Sequence, residues 1–350
     1  MVKMRKGILL VVLQFFLILS SCSGPESQPG GMPEEKGEIK ADYITSFFIN
    51  DFVVGADNTL YSIGQTNDEK GYYVSLKKTD LDGKETTLKN LDLATYTFAR
   101  LALANNGDLL LVAKGNNEPN QDKIMRFENN FSELNPFYTM KPISSPFASK
   151  INLFRICNNN DNTYFVFDLS ARNIKRVLPE LNGDVFVAGS GKEEIKDGSG
   201  LEASFAAVTK IISLNSVLYL IDEVYDPSTG TYKNSAIRKL EYVNNEWKVT
   251  TLVSVTNGDH FTDLTFDTKN ELYVVNAGKG IFKLNLQNNS LSLYKDGDLR
   301  VKASTSGRGV YSSFKYTEML KFKGNDIYLL VSGNLIKISD FQAKFAAAEK

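Results

Sequence analysis

The sequence predicts an all-β fold, a six-bladed β-propeller of four-stranded antiparallel blades. Three observations carry this reading: a polar turn followed by a Leu/Tyr-rich strand recurs six times, the step between copies is nearly constant, and no stretch shows helical periodicity. The recurring units are Asp57-Asn58-Thr59-Leu60-Tyr61, Asn106-Gly107-Asp108-Leu109-Leu110, Asp161-Asn162-Thr163-Tyr164-Phe165, Asn215-Ser216-Val217-Leu218-Tyr219, Lys269-Asn270-Glu271-Leu272-Tyr273 and Gly324-Asn325-Asp326-Ile327-Tyr328. Their strands begin at 60, 109, 164, 218, 272 and 327, so the steps are 49, 55, 54, 54 and 55 residues.

Within a unit the order of elements repeats. An apolar inner strand comes first, as in Leu101-Ala102-Leu103 or Leu264-Thr265-Phe266. An Asx/Gly turn of the kind that closes tight hairpins follows, and then the Leu-Tyr strand. A third strand alternates basic and apolar residues: Ile174-Lys175-Arg176-Val177, Ile237-Arg238-Lys239-Leu240, Ile281-Phe282-Lys283-Leu284 and Leu335-Ile336-Lys337-Ile338. A fourth is rich in Thr and Val, as from Trp247 to Val253. Inner strands touch neighbouring blades on both faces and read as apolar runs, whereas outer strands place Lys and Arg toward water and blunt the exposed edge.

Ahead of the repeats, the first residues read as a targeting segment, residues 1–21. Lys3, Arg5 and Lys6 form a positive start, and the apolar run from Ile8 to Leu19 is too short to span a bilayer, which needs about 20 residues. The run ends in Leu19-Ser20-Ser21-Cys22, which resembles the lipobox of bacterial lipoprotein signal peptides. That resemblance implies cleavage before Cys22 and acylation of its thiol and amine, with several chains giving stable anchoring. Residues 22–40 then read as lipid anchor and flexible tether, because Gly30-Gly31, Pro25, Pro29, Pro33 and their polar neighbours cannot bury a core. Ser23 after the cysteine is not the Asp of an inner-membrane retention signal, so the expected place is the bacterial cell envelope at the outer membrane. Residues 41–345 form the propeller.

Charge is balanced, with 40 basic and 41 acidic residues and no basic run, which argues against a nucleic-acid partner. Of two cysteines, a lipidated Cys22 would leave Cys157 without an intramolecular partner. Its neighbours Asn158-Asn159-Asn160 offer no histidine, so core packing is its expected role.

The middle of the chain resembles an NHL repeat. Val187-Ala188-Gly189-Ser190-Gly191, Asp197-Gly198-Ser199-Gly200, Ala203-Ser204-Phe205, Leu218-Tyr219-Leu220-Ile221-Asp222 and Ile237-Arg238-Lys239-Leu240 follow that family's order of segments. Asp168 to Val177 and Leu272 to Leu284 carry the pattern in part, and the end units carry only the spacing. The resemblance implies a propeller, usually of six blades. Some relatives are lyases that hold zinc with several histidines, and His260, the single histidine here, cannot supply such a set. Asp197-Gly198, Asp168 and Asp222 are expected to form turns of the repeat.

Propeller ligands bind at one end of the central channel, lined by the innermost strands. Nine residues upstream of each Leu-Tyr strand stand Asp51, Arg100, Arg155, Thr209 with its neighbour Lys210, Asp263 and Glu318. Two readings follow: opposite charges pair across a wet channel and hold the blades in register, or the ring binds a ligand, with a carboxylate on the Arg100/Arg155 side and hydroxyls on the Asp263/Glu318 side. The expected function is a non-catalytic binding module for a polar small molecule, a glycan or an envelope protein, with no cofactor. The alternative is a propeller hydrolase, lactonase or lyase in which Asp51, Asp263 and Glu318 hold a divalent metal such as Ca2+, whose shell of six to eight oxygens needs no histidine. His260, beside Asp259, is expected to be structural, with a general-base role near Asp263 as the sharper reading.

Overall fold

The computed structural model describes residues 39–350 apart from 46–47, 81–83, 93–95, 97–98, 105, 114–122, 140–153, 159–162, 306–307 and 348–350. Cys22, the targeting segment and most of the tether therefore lie outside the described residues. So does the turn Asp161-Asn162. Among the described residues no helix is long and apolar enough to cross a membrane.

The chain opens with β1 (Ile39–Thr45) and then builds one blade after another. Blade one is β2 (Phe48–Val54), β3 (Leu60–Asp68), β4 (Gly71–Thr79) and β5 (Glu85–Leu91). Blade two is β6 (Arg100–Leu103), β7 (Leu109–Ala113), β8 (Lys123–Glu128) and β9 (Glu133–Thr139). Blade three is β10 (Phe154–Asn158), β11 (Tyr164–Asp168), β12 (Asn173–Leu178) and β13 (Gly183–Ala188). Blade four holds β14 (Gly198–Ser199), β15 (Val208–Leu214), β16 (Val217–Asp226), β17 (Thr231–Val243) and β18 (Glu246–Thr256), with β14 added outside β18. Blade five is β19 (Phe261–Phe266), β20 (Leu272–Asn276), β21 (Gly280–Asn285) and β22 (Ser290–Asp296). After β23 (Arg300–Thr305) and β24 (Arg308–Ser313) come β25 (Thr317–Lys323), β26 (Asp326–Val331) and β27 (Asn334–Ile338), then a short helix α1 (Phe341–Ala347).

Blade six is completed from the other end of the chain. Its sheet order is β25-β26-β27-β1-β23-β24, so β1 supplies the fourth strand, antiparallel to β27 and parallel to β23. Ile39 and Ala41 on β1 are buried against the core while Lys40 and Asp42 are exposed, the period of two that a half-buried strand requires. Joining the two ends this way covers the edge that β27 would otherwise present. The inner strands contact one another in the order β2, β6, β10, β15, β19, β25, and β25 contacts β2, which closes the ring.

Packing follows from the alternation on the second strand of each blade. On β7, Leu109 and Leu111 join a cluster with Ile63 and Leu76 of blade one, while Leu110 and Val112 join Tyr164 and Val166 of blade three. On β11, Phe165 and Phe167 turn the other way, toward Phe205 and Leu218. Tyr219 with Leu264, Tyr273 with Leu320, and Tyr328 with Phe52 occupy the remaining junctions, so each junction between blades has its own apolar cluster. The second strand, sandwiched by sheets on both faces, is the continuously buried one, as in β11 and β20. The innermost strands are less buried than their apolar sequence implies, because one edge borders the channel.

The turns ahead of the Leu-Tyr strands use residues that tolerate positive φ. Asn58, Asn215 and Asn270 have φ of 62°, 50° and 62°, and Gly107 serves in blade two.

Candidate functional site at the channel end

A cavity of about 560 Å³ opens where the inner strands begin, bordered by residues of all six blades. In β2, β15, β19 and β25 the ladder slips there by one residue, at Asn50, Thr209, Thr262 and Glu318. Such bulges bend a strand and re-aim the next side chain. Opposite the fourth residue of each Leu-Tyr strand stand Asp51, Arg100, Arg155, Lys210, Asp263 and Met319. The ring expected from residue counting is therefore present in five blades. In blade four its member is Lys210, not Thr209. In blade six it is Met319, because Glu318 is the bulged residue and sits exposed at the rim, accepting from Gly333 N at 3.2 Å. The backbone of Arg155 is in ring register with Phe167, and its side chain lies outside the described residues.

The side chains are engaged unequally. Asp51 accepts from Phe52 N at 2.9 Å and from Leu101 N of the next blade at 3.0 Å. Asp263 does the same between blades five and six, accepting from Leu320 N at 2.8 Å, and its other oxygen pairs with Lys210 of blade four. These carboxylates tie neighbouring blades through main-chain N–H groups. Arg100 donates through Nη1 to Asn50 O at 2.7 Å and, more weakly, to Ala99 O at 3.4 Å. Its Nη2 and Nε have no hydrogen-bond partner among the described residues.

One further charged residue belongs to this cluster and was not reached by counting to the ring position: Lys321. It lies two residues along β25, opposite Tyr328. The matching residues in the other blades are Val53, Ala102, Cys157, Ile212 and Thr265, none of them charged. A lone lysine at that register was the available signal. Lys210 and Lys321 line the same cavity, close enough for the charge of one to act on the other. Burial works against the Lys210 ammonium, but Asp263 and then Asp51 outweigh it and hold its pKa above the usual lysine value. Burial and the Lys210 charge pull Lys321 the other way, down to about 8.

Two more groups border the cavity. His260 stacks on Tyr232 with ring centroids 4.2 Å apart, and burial lowers its pKa, so the ring is neutral at pH 7. Cys157 is buried and its thiol is pushed up to about 12, mainly by burial, so it behaves as a small apolar side chain.

The expected carboxylate set for a metal is not assembled. Asp51 and Asp263 are committed to main-chain N–H groups and to Lys210, and Glu318 stands at the rim. Among the described residues no three His, Cys, Asp or Glu side chains gather at metal-binding spacing.

The motif spanning 187–240 serves a different end. Arg238 is fully buried and its four terminal N–H groups are spent on Ser204 O at 2.6 Å, Asp222 Oδ2 at 2.7 Å, Lys196 O at 2.6 Å and Asp197 Oδ1 at 3.2 Å. Its guanidinium lies over Phe205, 4.9 Å from the ring centroid. Asp222 also accepts from Ala206 N and Ala207 N, both at 3.0 Å. Asp197 reaches β18, accepting from Thr251 N and Oγ1 at 2.9 and 2.8 Å. Asp222 is thus a mid-strand ion-pair partner and Asp197 a cross-link to β18, not the turn formers expected of them. Asp168 does form its turn, accepting from Ser170 N and Ala171 N at 3.0 Å, and it also pairs with Lys175 at 2.8 Å. Gly189 has φ of 128°, and a Cβ there would meet Arg172 O at 2.5 Å, so the chain can pass only as glycine.

No protein-family model matches the chain, and no curated protein matches it by sequence. Solved structures do match. A protein assigned as a gluconolactonase is 13% identical with a TM-score of 0.53, the match covering 88% of this chain and 93% of that one. A structural-genomics protein of unknown function from Bacteroides thetaiotaomicron is also 13% identical at a TM-score of 0.53, covering 86% of this chain and 72% of that one. At such identity the likeness is one of fold, and with the closed ring of blades it makes this chain a six-bladed β-propeller.

Proposed function

We propose that the channel end is the binding site of a small polyhydroxylated carboxylate, presented by an NHL-like propeller held at the bacterial envelope through lipidated Cys22. The observation that carries this reading is Arg100, whose guanidinium borders the cavity with two of its three nitrogens unspent among the described residues. A carboxylate is the group that such a fork binds bidentately. Lys210 adds a second cation, and Glu318 at the rim accepts from hydroxyls. The volume favours a small molecule over a protein partner, since pockets for small ligands run from about 300 to 1,000 Å³. Leu19-Ser20-Ser21-Cys22 supports the anchor, and the 187–240 motif supports the NHL assignment.

D-Glucuronate, which carries one carboxylate and ring hydroxyls, is the probe. Calorimetric titration into the full chain in detergent is expected to give saturable binding that Arg100→Ala combined with Arg155→Ala reduces at least about tenfold, the loss of one charge-assisted pair. Unchanged affinity in that variant returns the ring to a purely structural role. Mass spectrometry of the mature protein is expected to find acyl chains on Cys22, and an unmodified Cys22 overturns the anchor.

The second reading, a hydrolase with a carboxylate-held metal, is favoured by the likeness to the gluconolactonase-assigned structure. The carboxylates do not fit it as they stand. Elemental analysis of the purified chain decides the matter: stoichiometric calcium, lost on Asp263→Ala, would displace the plain binding reading.

A further inference from the structure

The binding reading leaves one group in the cavity without a task. Lys321 borders the same cavity as Arg100 and Lys210, and Lys210 is the one paired with Asp263. It faces Lys210 from β15, Asp263 from β19 and Asp51 from β2, and its cross-strand partner on β26 is Tyr328, neutral at ordinary pH. The two carboxylates are already engaged: Asp263 by Lys210 and Leu320 N, Asp51 by Phe52 N and Leu101 N. A structural role for two lysines would give each its own carboxylate. Here Lys210 takes the ion pair, and Lys321 is left beside a like charge at the edge of a void.

We propose that Lys321 is an amine nucleophile that condenses with the carbonyl of an aldehydo or keto acid whose carboxylate is held by Arg100, forming a Schiff base. A desolvated lysine beside a second cationic group is the arrangement that makes an amine reactive near neutral pH. With a pKa of about 8, on the order of a tenth of Lys321 is unprotonated at pH 7, against less than a thousandth for an ordinary lysine. In the first step the Nζ lone pair attacks the carbonyl carbon, a C–N bond forms, and the carbonyl π electrons move to oxygen. That oxygen takes a proton from the Lys210 ammonium, which Asp263 keeps charged until then. The nitrogen returns a proton to Lys210, which passes it to the hydroxyl; water leaves as the C–O bond breaks, and the iminium proton recharges Lys210 and leaves the imine. The balance is amine plus carbonyl giving imine plus water, with no oxidant or reductant.

This proposal rests on the binding reading and narrows its ligand to a carboxylate that also bears a carbonyl. The probe is glyoxylate. The full chain in detergent is incubated with glyoxylate and cyanoborohydride at pH 7, and peptides are mapped for carboxymethyl-lysine. Lys321 is expected to be labelled at least about tenfold faster than exposed lysines such as Lys192 and Lys248, the preference a lowered pKa gives. The rate is expected to rise with pH toward a plateau with its midpoint near 8. In Lys210→Met the midpoint moves upward and the pH 7 rate falls, because the like charge that depresses Lys321 is gone, whereas a purely structural change would leave that midpoint in place. Labelling spread evenly over surface lysines overturns the proposal. If glucuronate still binds while Lys321 stays unlabelled, only this inference fails; if glucuronate also fails to bind, the reading beneath it fails too.

Discussion

Two clusters of charge sit inside this propeller, and they are built in opposite ways. In blade four, Arg238 and Asp222 are both fully buried, and the terminal guanidinium N–H groups all end on fixed carbonyls or carboxylates. At the channel end, Arg100 has N–H groups to spare, and Lys321 shares two carboxylates already taken by main-chain donors and Lys210. The first cluster fills every donor but the buried Arg238 Nε, at the cost of desolvation; burial pushes the pKa of Asp222 up even with Arg238 beside it. The second keeps unspent donors next to a void. A buried charge with both terminal nitrogens bound by the fold is holding the fold. A charge with donors left over is placed for something that arrives later.

The sharpest way to break the comparison is to delete one member of each cluster. Arg238→Met leaves Asp222 buried without its partner, and a loss of about 3–5 kcal/mol is expected from urea unfolding. Pairing it with Asp222→Leu is expected to restore most of that, since two apolar side chains replace the pair without stranding a charge. At the channel, Asp263→Ala removes the acceptor of the buried Leu320 N–H and the partner of Lys210, and about 1–3 kcal/mol is expected by the same measurement. Arg100→Ala breaks bonds only to carbonyls beside the cavity, and its unfolding midpoint is expected to move by less than about 1 kcal/mol while glucuronate affinity falls. If Arg100 proves as costly as Arg238, the distinction between the clusters collapses.

The smallest effect concerns pH. Burial holds His260 below its ordinary value of 6.5. Between the two values the unfolded chain binds a proton that the folded one does not, so stability is fully present above about pH 6.5 and declines as pH falls toward the folded value. In His260→Gln the urea midpoint is expected to lose that part of its slope between pH 5 and about 7. An unchanged slope would mean that the stack on Tyr232 leaves the proton affinity of His260 alone.

Much of the architecture was legible because it is local and repeated. The Asx turns, the Leu-Tyr strands and the basic-apolar third strands each recur within a unit, and each has a physical reason to recur. The fourth strand of blade six was not legible. β1 pairs with β27 across almost the whole chain, and nothing near Ile39 or Ile338 announces that partnership. The added strand β14, which pairs with β18 some fifty residues on, escaped for the same reason; the hairpin β23–β24 is local and escaped because it lies outside the repeat.

The site was legible in part. Counting back from the Leu-Tyr strands found Asp51, Arg100 and Asp263, and gave Lys210 as the neighbour of Thr209. It misplaced Glu318 because the turn at Gly324-Asn325 is one residue shorter than those of blades one and five, which brings the bulged residue to the counted position. It passed over Lys321 because a ring of matching positions draws attention to what the blades share. Lys321 differs from its five counterparts, and a departure from the repeat carries more functional weight than the repeat itself. Asp222 also departs from the repeat, in a structural way: it matches Asp168 in sequence yet accepts from Ala206 and Ala207 where Asp168 closes its own turn.

The most direct test of the central claim, that unspent cations mark the channel end as the ligand site, is a crystal structure of the protein soaked with D-glucuronate. The expected result is the sugar in the cavity between the inner strands, its carboxylate within hydrogen-bond distance of Arg100 and its hydroxyls toward Glu318 at the rim. Glucuronate bound elsewhere, or a cavity holding only water at saturating probe, would contradict it.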